Sequence, residues 1–162
     1  MTAAGIPTEA VTHIRALQWT KLVSWIPSSL LSVVTRLPLA TICEDRELAQ
    51  VYLDVAREIA AVATAAGHPI VDEGELVGAR LVTGDRSIGE SALRQTAAAL
   101  RAGSAGDYRS SMLLDLLACR PLELDDTAGH VLQLADSSGT DVPVTRSLVR
   151  LSRGAAAAMA AS

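Results

Sequence analysis

Between Glu44 and Ala66 the apolar residues Leu48, Val51, Tyr52, Val55, Ile59 and Val62 recur at spacings of three and four, opposite Arg46, Glu47, Asp54 and Arg57. Only an α-helix puts such a set on one face, so this segment predicts an amphipathic helix that needs a partner surface. Acidic residues open it and Gly67 closes it. No segment shows the alternation of a half-buried strand over five or more residues, apart from short ambiguous pieces such as Pro69 to Val71. Aromatic residues are limited to Trp19, Trp25, Tyr52 and Tyr108, with no Phe, so Ala, Leu, Val and Ile must fill the core. That composition favours packed helices. The expected fold class is all-α, and 162 residues make one domain of it.

Further helices follow from the same signals. A helical stretch runs from about Thr8 to Arg36, with Thr8 and Glu9 at its start and Pro27 as a kink or break, giving two helices or one bent one. Asp72 to Gly84, broken by three glycines, holds at most a weak helix. Ile88 to Arg101 and Tyr108 to Ala118 read as helices separated by the loop Gly103 to Gly106. Pro121 marks a break, after which Asp125 or Asp126 caps a helix through about Ala135. Pro143 suits the first turn of a last helix that ends near Arg153, leaving the alanine-rich tail 154–162 to fray.

Several classes of function are disfavoured. A net charge of −4 argues against nucleic acid as the main partner, because phosphate binding is driven by cationic side chains. The most apolar stretch, Leu22 to Val34, is interrupted by Pro27 and serines and is too short to cross a bilayer. No secretory signal opens the chain, and Cys43 and Cys119 match no paired spacing, so a reduced, cytoplasmic protein with two structural thiols is expected. His13, His68 and His130 show no metal-ligand spacing, and no G-x-G-x-x-G follows a strand, so the chain is expected to hold neither a metal nor a dinucleotide. Arg146, Arg150 and Arg153 read as a solvated face complementing the end of the last helix.

Two places invite chemistry. Lys21 is the only charge between Arg15 and Arg36, with Trp19 beside it and Trp25 one turn on. Either its stem lies along apolar surface and the amine reaches solvent, or it faces a pocket and serves as a general acid. Ser110 and Ser111 open a helix whose Asp115 shares a face with Ser111. They read as N-capping residues or as hydroxyls that bind a carboxylate with the free backbone N–H groups. Glu123, after Pro121, is by itself a surface carboxylate.

In order and spacing these pieces resemble the C-terminal helical domain of ketopantoate reductases (2-dehydropantoate 2-reductases). AAGIP followed by Gln18-Trp19-Thr20-Lys21-Leu22 is similar to the family's interdomain linker and W-x-K-L helix. Arg57-Glu58-Ile59 through Ala66-Gly67 is similar to its E-x-x-x-x-A-x-x-x-G helix end. Ser110-Ser111-Met112 with Asp115, Arg120-Pro121-Leu122-Glu123-Leu124-Asp125, Gly129, and Gly139 to Pro143 resemble its S-S-M-x-x-D, R-x-T-E-I-D, N-G and G-x-x-x-P motifs.

The resemblance implies a helical bundle like the C-terminal domain of 6-phosphogluconate dehydrogenase, over residues 13–153, with 1–12 the remnant of the linker. It implies Lys21 as the general acid that protonates a keto oxygen, Glu123 as its supporting carboxylate, and Ser111, with Ser110, on the substrate carboxylate. Where the family places two asparagines to hold substrate hydroxyls, this sequence has Trp25 and Ser29, and Tyr108 replaces an asparagine three residues before the family's serine. These are therefore candidate substrate-binding positions in a less polar pocket. The family's NADPH-binding Rossmann domain has no counterpart here, and Met1 falls where the linker would begin.

The expected function is the substrate-binding, dimer-forming half of a 2-keto acid reductase. It would need NADPH on a Rossmann unit supplied in trans, and would itself bind no cofactor. The alternatives are a cofactor-independent isomerase or cyclase reusing Lys21 and Glu123 on an apolar substrate, and a non-catalytic helical dimer or binding module.

Overall fold

The structure, a computed structural model, describes residues 10–73 and 76–161. Among them every regular element is helical: α1 Ile14–Thr35, α2 Leu39–Glu44, α3 Arg46–Ala65, α4 Gly78–Leu81, α5 Arg86–Ala102, α6 Ser111–Leu117, α7 His130–Ser138 and α8 Pro143–Ala160. A π-helical turn, Asp125–Gly129, leads into α7. The all-α expectation holds.

The periodic segment becomes α3, and its stripe faces inward: Tyr52, Val55, Ile59 and Val62 are buried, while Leu48 and Val51 pack at the edge of the core. The Asp45 carboxylate accepts the Leu48 N–H and starts the helix at Arg46 rather than at Glu44, because Glu44 belongs to the end of α2. At its other end Gly67 takes φ +76°, a conformation that penalises a Cβ, and the His68 N–H reaches back to the Ala63 carbonyl. Asp54 and Arg57, on the polar side, are recruited into packing: Asp54 pairs with Arg86 of α5, and Arg57 donates to the Thr83 carbonyl.

The longest helix, α1, lies against α3, α8, α4 and α6, and its inner face is fully apolar at Val23, Ile26, Leu30 and Val33. The two-helix alternative at Pro27 is corrected, since α1 runs through it without a break. Proline removes the N–H that the Val23 carbonyl would have accepted. Tertiary packing offsets this cost: Pro27 is itself buried, and the buried Tyr52 of α3 donates its hydroxyl to the adjacent Ser24 carbonyl at 2.5 Å. The start expected at Thr8 and Glu9 lies outside the described residues, and the observed start is Ile14.

Other boundaries shift for similar reasons. The weak helix at 72–84 reduces to the single turn α4. The predicted Tyr108 helix begins at Ser111, because the Ser110 hydroxyl accepts the Leu113 N–H and sets the cap there. Asp125 and Asp126 do not cap α7; they sit in the π-helical turn, where Asp125 pairs with Arg153. The tail does not fray after Arg153: α8 continues to Ala160, with Ala155, Ala156 and Met159 packed on the core. Arg146 and Arg153 therefore lie within α8 and pair with Asp136 and Asp125 rather than serving a helix end.

Cys43 is buried, and burial with the neighbouring Glu44 pushes its thiol up to about 12, so it stays protonated as a packing group. Cys119 is exposed, which corrects the expectation that both thiols are buried packing groups. Among the described residues no helix is long and apolar enough to cross a membrane.

Candidate functional site in the cleft beside α1

The amino-terminal half of α1 forms one wall of a cleft of about 570 Å³, within the size range of small-molecule sites. Arg15, Gln18, Lys21 and Trp25 come from α1, with Leu22 between them. The end of α3 and the residues after it supply Ala66 and His68, and α7 supplies His130 and Leu134. Three segments far apart in the chain thus meet here. Trp19 is nearly buried and stacks on the His68 ring, centroids 6.4 Å apart at 26°, which holds the imidazole against the wall.

This wall is braced from behind by Thr20. Its hydroxyl donates to the Ala16 carbonyl and accepts the Val71 N–H, which ties the segment after α3 across α1. Gly78 of α4 lies so close to Thr20 that a Cβ there would meet the Thr20 carbonyl at 2.3 Å. His13 and Glu73 pair at 2.5 Å across the same crossing.

Of the residues singled out from the sequence, the structure brings two into the cleft, Lys21 and Trp25. Lys21 is exposed, and its amine makes no hydrogen bond or ion pair among the described residues. The side chain borders the cleft and stays exposed to water. Trp25 is half-buried.

Glu123 is exposed outside the lining; its carbonyl accepts the Thr127 hydroxyl, and its carboxylate is not paired with Lys21. Ser110 is buried as the cap of α6, whereas Ser111 and Tyr108 are exposed, and none of the three lines the cleft. Ser29 is 1% exposed, and its buried hydroxyl has no hydrogen-bond partner among the described residues. A hydroxyl in that state costs free energy without a compensating bond. Ser29→Ala should raise the unfolding free energy by about 1 kcal/mol in a urea titration; a loss of similar size would show that the hydroxyl has a partner.

Sequence reasoning missed Arg15, Gln18, His68 and His130. Arg15, Gln18, Leu22 and Trp25 share one helical face by their three- and four-residue spacings, a signal that was available. Nothing local points to His68 or His130, which reach the cleft only through the packing of α3 and α7 on the rest of the bundle.

Chemically, the cleft offers a primary amine, a guanidinium, two imidazoles and an indole face, and among the described residues no carboxylate lines it. That set stabilises negative charge. Among the described residues no group of three His, Cys, Asp or Glu is placed to hold a metal ion. The pyrophosphate of a nicotinamide dinucleotide sits on a glycine-rich turn between strand and helix, and the described residues contain no strand.

Residues 13–156 match the family of the ketopantoate reductase PanE/ApbA C-terminal domain. No curated protein matches the chain. Among solved structures, a PanE/ApbA family ketopantoate reductase from Ralstonia eutropha JMP134 is similar over 98% of this chain and 46% of its own, with 27% identity and a TM-score of 0.78. A 2-dehydropantoate 2-reductase from Methylococcus capsulatus is similar over 99% of this chain and 49% of its own, with 23% identity and a TM-score of 0.74. A D-mandelate dehydrogenase, solved with NADH and anilino(oxo)acetate, shares the fold over 98% of this chain and 46% of its own at 14% identity and a TM-score of 0.75. The chain thus spans about half the length of these relatives. By the extent of the family match, and by a helical bundle that agrees with it, this chain belongs to the ketopantoate reductase C-terminal domain family.

Proposed function

We propose that this domain is the substrate-binding half of a 2-oxo acid reductase. The observation that carries the reading is the exposed, unpaired amine of Lys21 at a cationic, indole-lined cleft, in a domain of the reductase family. NADPH, held by a separate nucleotide-binding unit, supplies the hydride. Lys21 is positioned to hold a keto oxygen and to give it a proton as negative charge develops there. His68 and His130 add hydrogen-bond donors to the same wall, and Trp25 limits how much water shares the cleft.

Glu123 and Ser111 enter as residues matched to the family's positions. Both side chains are exposed and free to meet a ligand or a neighbouring unit that extends beyond the cleft. A cofactor-independent activity built on a Lys21 and Glu123 pair draws no support from the geometry, because the two groups are not paired.

The test is a chimera in which this chain replaces the corresponding half of the Ralstonia eutropha reductase. NADPH consumption that depends on an added 2-oxo acid is expected, and Lys21→Ala should lower kcat by about 10²- to 10⁴-fold with little change in folding. Turnover at the full rate in Lys21→Ala would overturn the assignment of this lysine, and a folded chimera inert towards every 2-oxo acid would overturn the reading as a whole.

A further inference from the structure

Two walls of the cleft are helical, from α1 and α7, and carry their own backbone hydrogen bonds. The third is not. Residues 67–73, between the end of α3 and α4, bring His68 to the cleft and belong to no regular element. Among the described residues, Val71 is the only one from 69 to 73 whose backbone N–H finds an acceptor, and that acceptor is the Thr20 hydroxyl at 3.0 Å. Two side-chain ties also run to α1 or the residue before it: the His68 ring on Trp19 and the Glu73 carboxylate on His13. A segment without internal hydrogen bonds, held by a few side chains, opens at lower free energy than the helices around it.

Open volume lies on both sides of this segment. His68 borders the cleft, and Pro69 and Ile70 border a second cavity of about 350 Å³ whose far side is Arg57, Ala60 and Thr64 of α3. Close-packed interiors leave no such room. Gly67 stands where the segment leaves α3, at φ +76° with no atom within 4 Å of a Cβ, a pivot with space around it. Thr20, by contrast, is fully buried, and its hydroxyl proton goes to the Ala16 carbonyl, which leaves the oxygen lone pairs to accept from Val71. One hydroxyl thus fixes the middle of the segment.

We infer that residues 67–73 are the movable wall of the cleft and that Thr20 is the positioning residue that sets His68 in it. Held by Thr20, the segment keeps the imidazole on Trp19 and in the cleft lining. Released, it turns about Gly67 into the space beside α3, and the cleft widens and loses that donor. A ligand that takes a hydrogen bond from His68 binds the held position better and shifts the segment towards it. The consequence for catalysis rests on the reductase reading; the movement itself does not.

Thr20→Val keeps the shape and removes the acceptor, whereas Thr20→Ser keeps the hydroxyl. In Thr20→Val the His68 amide, which bonds to the Ala63 carbonyl outside the Thr20–Val71 contact, should exchange with solvent about 3- to 10-fold faster, the shift expected from one neutral hydrogen bond, while the amides of α7 keep their rates. The His68 ring resonances should lose the ring-current shift of Trp19, and Thr20→Ser should restore both. In the chimera with the Ralstonia eutropha half, Thr20→Val should raise KM for the 2-oxo acid it reduces by about 3- to 10-fold with kcat within about twofold, because Lys21 stays in place. In that background His68→Ala should add nothing further. Parent-like exchange and ring resonances in folded Thr20→Val, or effects of Thr20→Val and His68→Ala that simply add, overturn the inference. Should Thr20→Val not fold, Val71→Pro removes the donor instead, and its exchange at His68 decides by the same criterion. An inert chimera counts against the reductase reading alone, and the exchange and ring resonances still decide the movement.

Discussion

Replacing Glu58 by alanine is expected to lower the unfolding free energy by about 3 kcal/mol, measured by urea denaturation. The α8 helix begins at Pro143 with Val142 before it, a residue that has no capping side chain. The missing cap is supplied from α3: one Glu58 carboxylate oxygen accepts the Val144 N–H at 2.9 Å, and the other accepts the Thr145 N–H at 2.7 Å and the Thr145 hydroxyl at 2.6 Å. Three charge-assisted bonds at a helix N-terminus add the favourable end of the helix dipole to ordinary capping. Removing the carboxylate leaves the fully buried Thr145 without that partner. Glu58→Gln should recover part of the loss, since an amide oxygen still accepts from one donor while its NH₂ faces the other. An alanine variant within 0.5 kcal/mol of the parent, a band taken roughly from ordinary surface substitutions, would show that the contact does not hold α8 to α3.

Gly78→Ala should cost a similar amount, about 3 kcal/mol, by a different route. The added methyl would sit 2.3 Å from the Thr20 carbonyl oxygen and 2.9 Å from its Cγ2, so α4 or α1 has to move. The nearer contact is helix backbone, which cannot rotate away as a side chain can. Thr20 lies between Trp19 and Lys21, so the same substitution should shift the Trp19 indole resonance and weaken ligand binding in the cleft. Gly84→Ala is the control: nothing lies within 4 Å of a Cβ there, and no change beyond about 0.5 kcal/mol is expected. Equal stability of the two variants would rule out close α1–α4 packing.

Both predictions rest on contacts that the chain could not announce. Glu58 meets Thr145 across 87 residues and Gly78 meets Thr20 across 58, and neither pair leaves a periodic or spacing signal. The choice at Pro27 between two helices and one has the same origin. Read locally, proline ends a helix, but a buried ring and the Tyr52 hydroxyl on the Ser24 carbonyl favour continuity, and those come from outside the segment. The alanine-rich tail likewise looked disposable until Met159 and its neighbours were seen against the core.

What was readable is what short-range physics decides. The apolar stripe of α3, the cap at Ser110, the left-handed Gly67 and the proline at the first turn of α8 each depend on atoms within a turn or so of the residue concerned. Within the cleft, Lys21 and Trp25 were legible for the same reason, as one helix presenting an isolated cation and an indole a turn apart.

The sequence by itself therefore determined the all-α class, most of the helices, and Lys21 and Trp25 on the α1 wall of the cleft. Only the tertiary structure decided that His68 and His130 join that wall, that Glu123 and Ser29 do not, and that Arg15 and Lys21 share one cleft. The division follows from range: capping and periodicity act through hydrogen bonds a few residues long, whereas a cleft is defined by which helix faces are left uncovered once the whole core has packed.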